Sequence, residues 1–83
     1  MADFQVPVTS PRAVLASNLR RLRKQHGWSQ EYLAFEAELH RTFVAHVERQ
    51  ARNISLDNLE KLARALGVPI FELLMPRAGD EDS

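Results

Sequence analysis

Apolar residues recur at helical spacing along most of the chain, and this pattern predicts an all-α fold. Leu15, Leu19 and Leu22 form the first apolar stripe, with the spacing of residues on one face of a helix. This stripe follows Ser10 and Pro11, which suit the N-cap and the first position of a helix. The first helix is therefore expected to begin at this pair.

Three further helix starts share one local pattern, an apolar residue, then a capping side chain, then an apolar residue one turn later. They are Trp28-Ser29 with Leu33, Leu39-His40 with Val44, and Ile54-Ser55 with Leu59. Gly27 and Gly67 suit helix ends, and Pro69 suits the start of a short, almost wholly apolar helix over residues 69–75. The short connections predict a compact bundle of five helices, with the fourth from about Leu56 to Leu66.

The segment from Ser29 to Arg49 has the spacing of two short helices joined by a tight turn. If Gln30 is its first position, Ala34 is the fifth, where a small side chain lets the helices approach closely. The apolar positions that hold the two helices together are then Leu33, Ala37, Leu39, Val44 and Val47. This arrangement is typical of a helix-turn-helix, whose second helix enters the major groove of DNA.

The length of 83 residues predicts one small domain over residues 10–75. Residues 1–9 are expected to be a flexible segment, or alternatively an arm that packs on a partner subunit, and residues 76–83 an acidic tail. Because the chain has no cysteine, disulfides and cysteine–zinc sites are excluded. With no apolar run of about 20 residues and no signal-peptide pattern, a soluble cytoplasmic protein is expected.

The charge is zero overall but is distributed unevenly along the chain. Residues 12–52 hold eight basic and four acidic side chains, whereas residues 53–83 hold three basic and six acidic ones. The basic half therefore coincides with the segment expected to face DNA. An acidic half that points away from DNA would lower non-specific binding.

The chain resembles the lambda-repressor/Cro-like family of bacterial regulators, also called the xenobiotic-response-element family. The resemblance covers about residues 12–75 and rests on LRRLRKQHGWSQ, on the Gln30–Ala34 start and on HVERQARNISLDNLEKLARALGV. The phrase LHRTFVAHVERQARNISLDNL is most similar to the controller proteins of restriction–modification systems. The resemblance implies a five-helix DNA-binding fold with the reader at helices two and three.

The sequence departs from the family pattern at two turns. Glu38 occupies the ninth helix-turn-helix position, where the family often has glycine. Because a left-handed glutamate costs about 1 kcal/mol, a turn of different shape is expected there. Gln50 stands where the family often has glycine and Ile54 where it often has proline, so the loop after helix three is also expected to differ.

The outward side of the third helix supplies the candidates for DNA-base contacts, which are Arg41, Thr42, Ala45 and His46. Arg41 is the first choice because its planar fork matches O6 and N7 of guanine. Phe43 is expected to pack at the helix edge or to be partly exposed, with a position against the sugar–phosphate backbone of DNA as the alternative. The alternative for the outward side chains is a solvated helix face. The candidates for phosphate contacts are Gln30, His40, Arg49, Arg52 and Asn53.

The resemblance further implies a partly buried ion pair between Arg23 and Glu48, which links the first helix to the third. Both residues are therefore assigned a structural role, and Arg20, Arg21 and Lys24 are expected to form a solvated basic face. The fifth helix carries more apolar side chains than a small core can bury, and such a surplus marks an interface. The dimer-interface candidates are Leu66, Ile70, Phe71 and Leu74, with core closure within one chain as the alternative.

The sequence contains no pattern of a catalytic site. It lacks a glycine-rich phosphate loop, and His40 and His46 are not at the i, i+4 spacing of a metal pair. No cofactor is expected, and the expected partners are double-stranded DNA and a second copy of the chain. The leading hypothesis is a homodimeric, autoregulatory transcription regulator of controller or phage-repressor type.

Two other hypotheses compete with this one. The first is an antitoxin that binds a cognate toxin directly, and the second is a degraded helix-turn-helix that serves only as a dimer scaffold. RNA polymerase is a further candidate partner of the leading hypothesis. A neighbouring restriction or methyltransferase gene would favour a controller, and a neighbouring toxin gene an antitoxin.

Overall fold

The computed structural model describes residues 10–50 and 53–77, which contain five helices. The helices are α1 (Pro11–Gln25), α2 (Gln30–Ala37), α3 (Arg41–Glu48), α4 (Leu56–Leu66) and α5 (Ile70–Leu73). The all-α prediction is confirmed. The expectations for residues 1–9 and 78–83, and for Arg52, lie outside the described residues.

The four longer helices begin where the local sequence predicts. Ser10, Ser29 and Ser55 accept backbone hydrogen bonds through Oγ from the residue three positions on. His40 caps α3 with Nδ1, which accepts from the backbone N–H of Thr42 at 3.1 Å. Each cap satisfies an N–H that lacks an acceptor within its helix.

One apolar core joins all five helices. The side chains of Leu19, Leu33, Val44, Leu62 and Leu73, one from each helix, have no exposed surface. Trp28, Leu39 and Ile54 pack against this core from the helix entrances, as the staple pattern predicts. The helix-turn-helix therefore packs against a core to which every helix contributes side chains.

The turn between α2 and α3 contains a left-handed residue at the position where the family often has glycine. This is contrary to the expectation that Glu38 would change the shape of the turn. Glu38 adopts the left-handed conformation, with φ 59° and ψ 43°. The N–H of Leu39 donates to the carbonyl of Ala34 at 2.8 Å. Gly27 and Gly67 end α1 and α4 in the same way, at φ 75°. The expectation was wrong because tertiary packing of α2 on α3 outweighs the local cost of a left-handed glutamate. Gln50 is also left-handed, at φ 64°.

Replacing Glu38 by glycine is expected to raise the free energy of unfolding by about 0.5–1 kcal/mol. The left-handed strain of about 1–2 kcal/mol disappears, and the extra freedom of glycine in the unfolded chain offsets part of the gain. Urea unfolding measures the change. Glu36→Gly, inside α2, is the control and is expected to be destabilised by at least about 1 kcal/mol, since it also loses the hydrogen bond from Tyr32. A loss of stability in Glu38→Gly would mean that the Glu38 side chain stabilises the turn.

Helix α5 is shorter than predicted, with four residues. Leu74 ends it at φ −110° and ψ 5°, and Met75 precedes Pro76, a position from which helical geometry is disfavoured. Residues 70–73 therefore form one helical turn, and the apolar residues 74 and 75 lie outside any helix.

Candidate nucleic-acid interface

Helix α3 is buried along one side and open along the other. Val44 and Val47 lie in the core, and Phe43 packs against the edge of that core as expected. The opposite side carries Arg41, Thr42, Ala45, His46 and Arg49. Arg41, Thr42 and Arg49 are exposed, and Ala45 and His46 are partly exposed. The base-contact candidates therefore share one accessible surface.

This surface forms one side of an open groove. The other side is the start of α2, and the groove, of approximately 480 Å³, is lined by Ser29, Gln30, Glu31, Arg41, Thr42, Ala45, His46 and Arg49. The first N–H groups of α2 lack acceptors within their helix, and the positive end of the helix dipole lies there. The groove thus combines a side-chain surface with a helix terminus suited to an anion.

Arg41 interacts with Glu31 across this groove. Its Nη1 lies 3.8 Å from Oε2 of Glu31, and both side chains are about two-thirds or more exposed. An exposed pair of this kind contributes about 0–1 kcal/mol. Arg41 can therefore leave Glu31 for a nucleic-acid acceptor at little cost.

Gln30 uses its side chain inside the protein. Its Nε2 donates to Oε1 of Glu48 at 2.8 Å. A phosphate contact at this position is therefore expected from the backbone N–H groups at the start of α2, not from the amide nitrogen. The same hydrogen bond ties the start of α2 to the end of α3.

Glu48 is the centre of the polar contacts beneath the groove. Nε and Nη2 of Arg23 donate to its two carboxylate oxygens, at 2.7 Å and 3.1 Å. The Arg23 and Glu48 side chains are 13% and 3% exposed. Nη1 of Arg23 also donates to the carbonyl of Trp28, at 2.8 Å. One carboxylate therefore fixes α1, α2 and α3 relative to one another.

Two arginines expected to form a solvated face make internal hydrogen bonds. Nη1 of Arg20 donates to the backbone carbonyl of Glu48 at 2.7 Å, and Nη2 of Arg21 donates to Oδ1 of Asn18 at 3.0 Å. The expectation was wrong for these two residues because their guanidinium groups bond acceptors of the protein itself. The acceptor of Arg20 lies in α3, and that of Arg21 lies in α1. Lys24 is exposed, as expected.

The flanking candidates for phosphate contacts have different surroundings. Because Nδ1 of His40 accepts the capping hydrogen bond, Nε2 carries the N–H of the neutral ring. Arg49 is exposed at the end of α3. Oδ1 of Asn53 accepts from Nη2 of Arg12, so its carboxamide is engaged by α1.

The apolar candidates near α5 divide into surface and core residues. Phe71, Leu74 and Met75 are 64%, 42% and 50% exposed, whereas Leu66 is 3% exposed. The expectation that Leu66 belongs to a dimer interface is therefore wrong, since the core of its own chain already covers it. Ile70 is partly buried against that core.

Asn18 is a buried polar residue that sequence reasoning did not single out. It has no exposed surface, and the two N–H groups of its Nδ2 donate to the carbonyls of Glu72, Leu73 and Met75 at 3.2, 2.9 and 3.0 Å, with one N–H shared between two of them. The available signal was an asparagine among the apolar residues of α1. A polar side chain at a core position requires hydrogen-bond partners, since burying it without them is costly.

Aromatic rings follow one another along the outer side of α2. The ring of Trp28 lies 5.0 Å from that of Tyr32, which lies 6.1 Å from that of Phe35. A hydrogen bond from Tyr32 to Glu36, with the negative charge of that carboxylate, raises the pKa of Tyr32. Ionising the phenol would break the bond and bring two negative charges together. Of these rings, none lines the groove beside α3.

Residues 10–50 and 53–77 hold no cluster of side chains arranged to bind a metal ion. Among the helices formed by those residues, none has the length and apolar character needed to cross a bilayer.

Comparison with known proteins identifies similar regulators. A family model described as helix-turn-helix matches residues 19–73. A hypothetical transcription factor of Neisseria meningitidis serogroup B is 55% identical over 65 residues, which is 78% of this chain and 61% of that relative. The control protein C.BamHI of Bacillus amyloliquefaciens is 47% identical over 64 residues, covering 76% of this chain and 79% of that protein.

Solved structures agree with these sequence matches. The structure of the hypothetical transcription factor from Neisseria has a TM-score of 0.81 at 44% identity and covers 94% of this chain and 95% of its own. The restriction–modification controller protein C.AhdI from Aeromonas hydrophila has a TM-score of 0.72 at 47% identity, covering 75% and 94%. These proteins are named as regulators, in agreement with the expectation of a non-enzymatic function.

Proposed function

The chain belongs to the helix-turn-helix family of DNA-binding transcription regulators, and we propose that it acts as a homodimer on a two-fold symmetric operator. The observation that supports DNA binding is the groove between the open side of α3 and the start of α2. A surface for base edges and a helix terminus for a phosphate meet there, which is the arrangement that sequence-specific docking requires.

Arg41 is the proposed principal base contact. It lies at the first position of α3 and is exposed, so its guanidinium can reach O6 and N7 of a guanine. Thr42 and Ala45 offer methyl groups to thymine, and His46 reaches one turn further along the helix. This assignment places Arg41 and Thr42 at the N-terminus of α3, where the docking geometry of the motif puts the base contacts, and Ala45 and His46 one turn further along.

Phosphate contacts are proposed on both flanks of this surface. The N–H groups at the start of α2 bind one phosphate, and His40 donates from Nε2 to the same strand. Arg49 and Asn53, with Arg52, contact the opposite flank. These contacts set the register on the duplex and are insensitive to base sequence.

The exposed apolar surface at the end of α5 supports the dimer. Phe71 and Leu74, three residues apart, leave more apolar surface in water than a single small domain needs to expose. Two-fold pairing through this surface would place two α3 helices about 34–36 Å apart, one turn of DNA. The operator is therefore expected to be palindromic.

The regulator is proposed to act on the promoter of its own gene. Its relatives include a control protein and a restriction–modification controller, and a protein that binds upstream of its own gene sets its own concentration.

Fluorescence anisotropy with DNA from just upstream of the gene tests this proposal, with a random duplex of equal length as control. Titrations at two salt concentrations separate sequence reading from charge attraction, because counterion release weakens all phosphate contacts together. A preference for the upstream DNA that persists at the higher salt supports autoregulation. Equal binding to both duplexes that salt abolishes would contradict sequence reading.

Replacing Arg41 by alanine is expected to weaken specific binding by about 1–3 kcal/mol per half-site while changing non-specific binding little. The loss follows from the bidentate contact between Arg41 and a guanine of the operator. Random DNA does not place a guanine consistently at that position. Anisotropy with the operator and with the random duplex measures the two effects.

Arg64→Ala is the matched control for this prediction. Arg64 is equally exposed and also pairs with a glutamate, Glu60 at 3.2 Å, but it lies on α4 outside the groove. Its loss is expected to leave operator preference unchanged. If Arg41→Ala retains the full preference of the unmodified protein, Arg41 is not the base contact.

A further inference from the structure

The segment after α5 is held in place by one side chain of α1. Residues 70–73 form only one helical turn, too short to be stable alone, and the chain then leaves helical geometry at Leu74. Nδ2 of Asn18 lies within 3.2 Å of the carbonyl oxygens of Glu72, Leu73 and Met75. These carbonyls lie at or beyond the end of α5, where no further helical turn supplies N–H donors. The amide of Asn18 supplies the donors instead.

The orientation of this amide follows from its neighbours. Three carbonyl oxygens can only accept, so the NH₂ group must face them. The oxygen on the other side accepts from Nη2 of Arg21 at 3.0 Å. With no exposed surface, the amide of Asn18 has no water to replace a lost partner.

The segment that Asn18 holds carries the exposed apolar surface. Met75 is itself bonded, Leu74 lies between the bonded residues, and Phe71 immediately precedes them. All three apolar side chains are exposed. Their direction depends on the path of the backbone over residues 72–75. The hydrogen bonds of Asn18 fix that path against α1.

The same helix also holds the end of α3. Arg20 and Arg23, within two turns of Asn18, bond the backbone carbonyl and the carboxylate of Glu48. Helix α1 therefore supports the DNA-facing helix on one side and the apolar surface on another. A displacement of residues 72–75 would alter the dimer surface and leave the support of α3 in place.

We propose that Asn18 is a positioning residue for dimerisation, which orients Phe71, Leu74 and Met75 without contacting the partner itself. This inference rests on the proposed homodimer. Asn18 then differs from a residue that only stabilises the fold. Removing its hydrogen bonds should weaken the dimer even under conditions where the monomer remains fully folded.

The test compares dimer dissociation constants of the unmodified protein and Asn18→Leu by sedimentation equilibrium, at a temperature where circular dichroism shows both to be folded. Leucine keeps the volume and removes the donors. We expect the dissociation constant to rise by about tenfold or more, because each dimer loses the bonds twice. Leu33→Val, in the core at α2, controls for a weakened fold and is expected to leave the dissociation constant unchanged.

A duplex with one half-site provides the second measurement. Binding of one protomer to it should change less than about twofold in Asn18→Leu, because α3 keeps its support from Arg20 and Arg23. If Asn18→Leu does not fold, Arg21→Met replaces it. The amide oxygen of Asn18 then loses its donor and the amide is held less firmly, which should raise the dissociation constant about threefold.

The outcomes separate the inference from the proposed function. A weaker dimer with intact half-site binding, and an unaffected Leu33→Val control, supports positioning by Asn18. A dimer of unchanged strength in a folded Asn18→Leu or Arg21→Met overturns the inference while the homodimer stands. If Leu33→Val raises the dimer dissociation constant as much as Asn18→Leu does, the inference is overturned, because general destabilisation then explains the weaker dimer. An unmodified protein that stays monomeric at all concentrations overturns both.

Discussion

Replacing Glu48 by alanine is expected to lower the free energy of unfolding by about 3–5 kcal/mol. The carboxylate is 3% exposed and accepts two hydrogen bonds from Arg23 and one from Gln30. Its removal leaves the positive charge of Arg23 largely buried without a counter-charge. Because small domains are stable by only about 5–15 kcal/mol, this loss is a large share of the total. Urea unfolding followed by circular dichroism measures it.

A double variant separates the burial of a charge from the loss of attraction. In Arg23→Met with Glu48→Leu both charges are absent, and apolar side chains fill a similar volume. Replacing a buried ion pair in this way is often neutral, so the double variant is expected to regain most of the stability that Glu48→Ala loses. If Glu48→Ala unfolds at the same urea concentration as the unmodified protein, the pair is not an energetic link between α1 and α3.

Replacing Phe71 by aspartate is expected to convert the protein to a monomer. In a two-fold interface each dimer would bury two carboxylates without partners, at about 3–5 kcal/mol each. Together these cost about 6–10 kcal/mol, so the dimer dissociation constant should rise by at least about 10,000-fold, since 1.4 kcal/mol is a factor of ten. Sedimentation velocity at micromolar concentration measures the change, and binding to a palindromic operator should fall with it.

Phe35→Asp is the matched control. Phe35 is also an exposed phenylalanine, 73% against 64% for Phe71, but it lies on the outer side of α2. The control is expected to remain dimeric. A dimeric Phe71→Asp together with a monomeric Phe35→Asp would move the interface to the aromatic side of α2.

Local chemistry accounts for the parts of the fold that the sequence predicted well. The caps at Ser10, Ser29, His40 and Ser55 act over two or three residues, and the structure contains each one. The apolar spacing of α2 and α3 likewise identified the buried side of the helix-turn-helix. The outward side follows by exclusion, because residues opposite a buried stripe face away from the core. The assignment of individual bases and phosphates to those residues remains a prediction.

Predictions from composition or single residues were less successful where distant parts of the chain meet. Glu38 was expected to distort its turn, but packing of α2 against α3 holds it in the left-handed region. Leu66 was expected at an interface, but residues from other helices cover it. Arg20 was expected in solvent, but its acceptor lies 28 positions away in sequence. Arg21 was also expected in solvent, and it is a local exception, since it bonds Asn18 three positions away on the same helix.

The sequence by itself therefore determined the helix starts, the helix-turn-helix spacing and the residues that α3 turns outward, because each depends on neighbours within one or two turns. Only the tertiary structure decided that Glu48 joins three helices, that Asn18 holds residues 72–75, and that Phe71, Leu74 and Met75 stay exposed while Leu66 does not. These features join or bury residues from separate parts of the chain. The hydrogen bonds that Glu48 and Asn18 make beyond their own helices span 18 to 57 positions. A pattern along the chain records which side chains are apolar or polar, and the packing of the helices determines which of them meet.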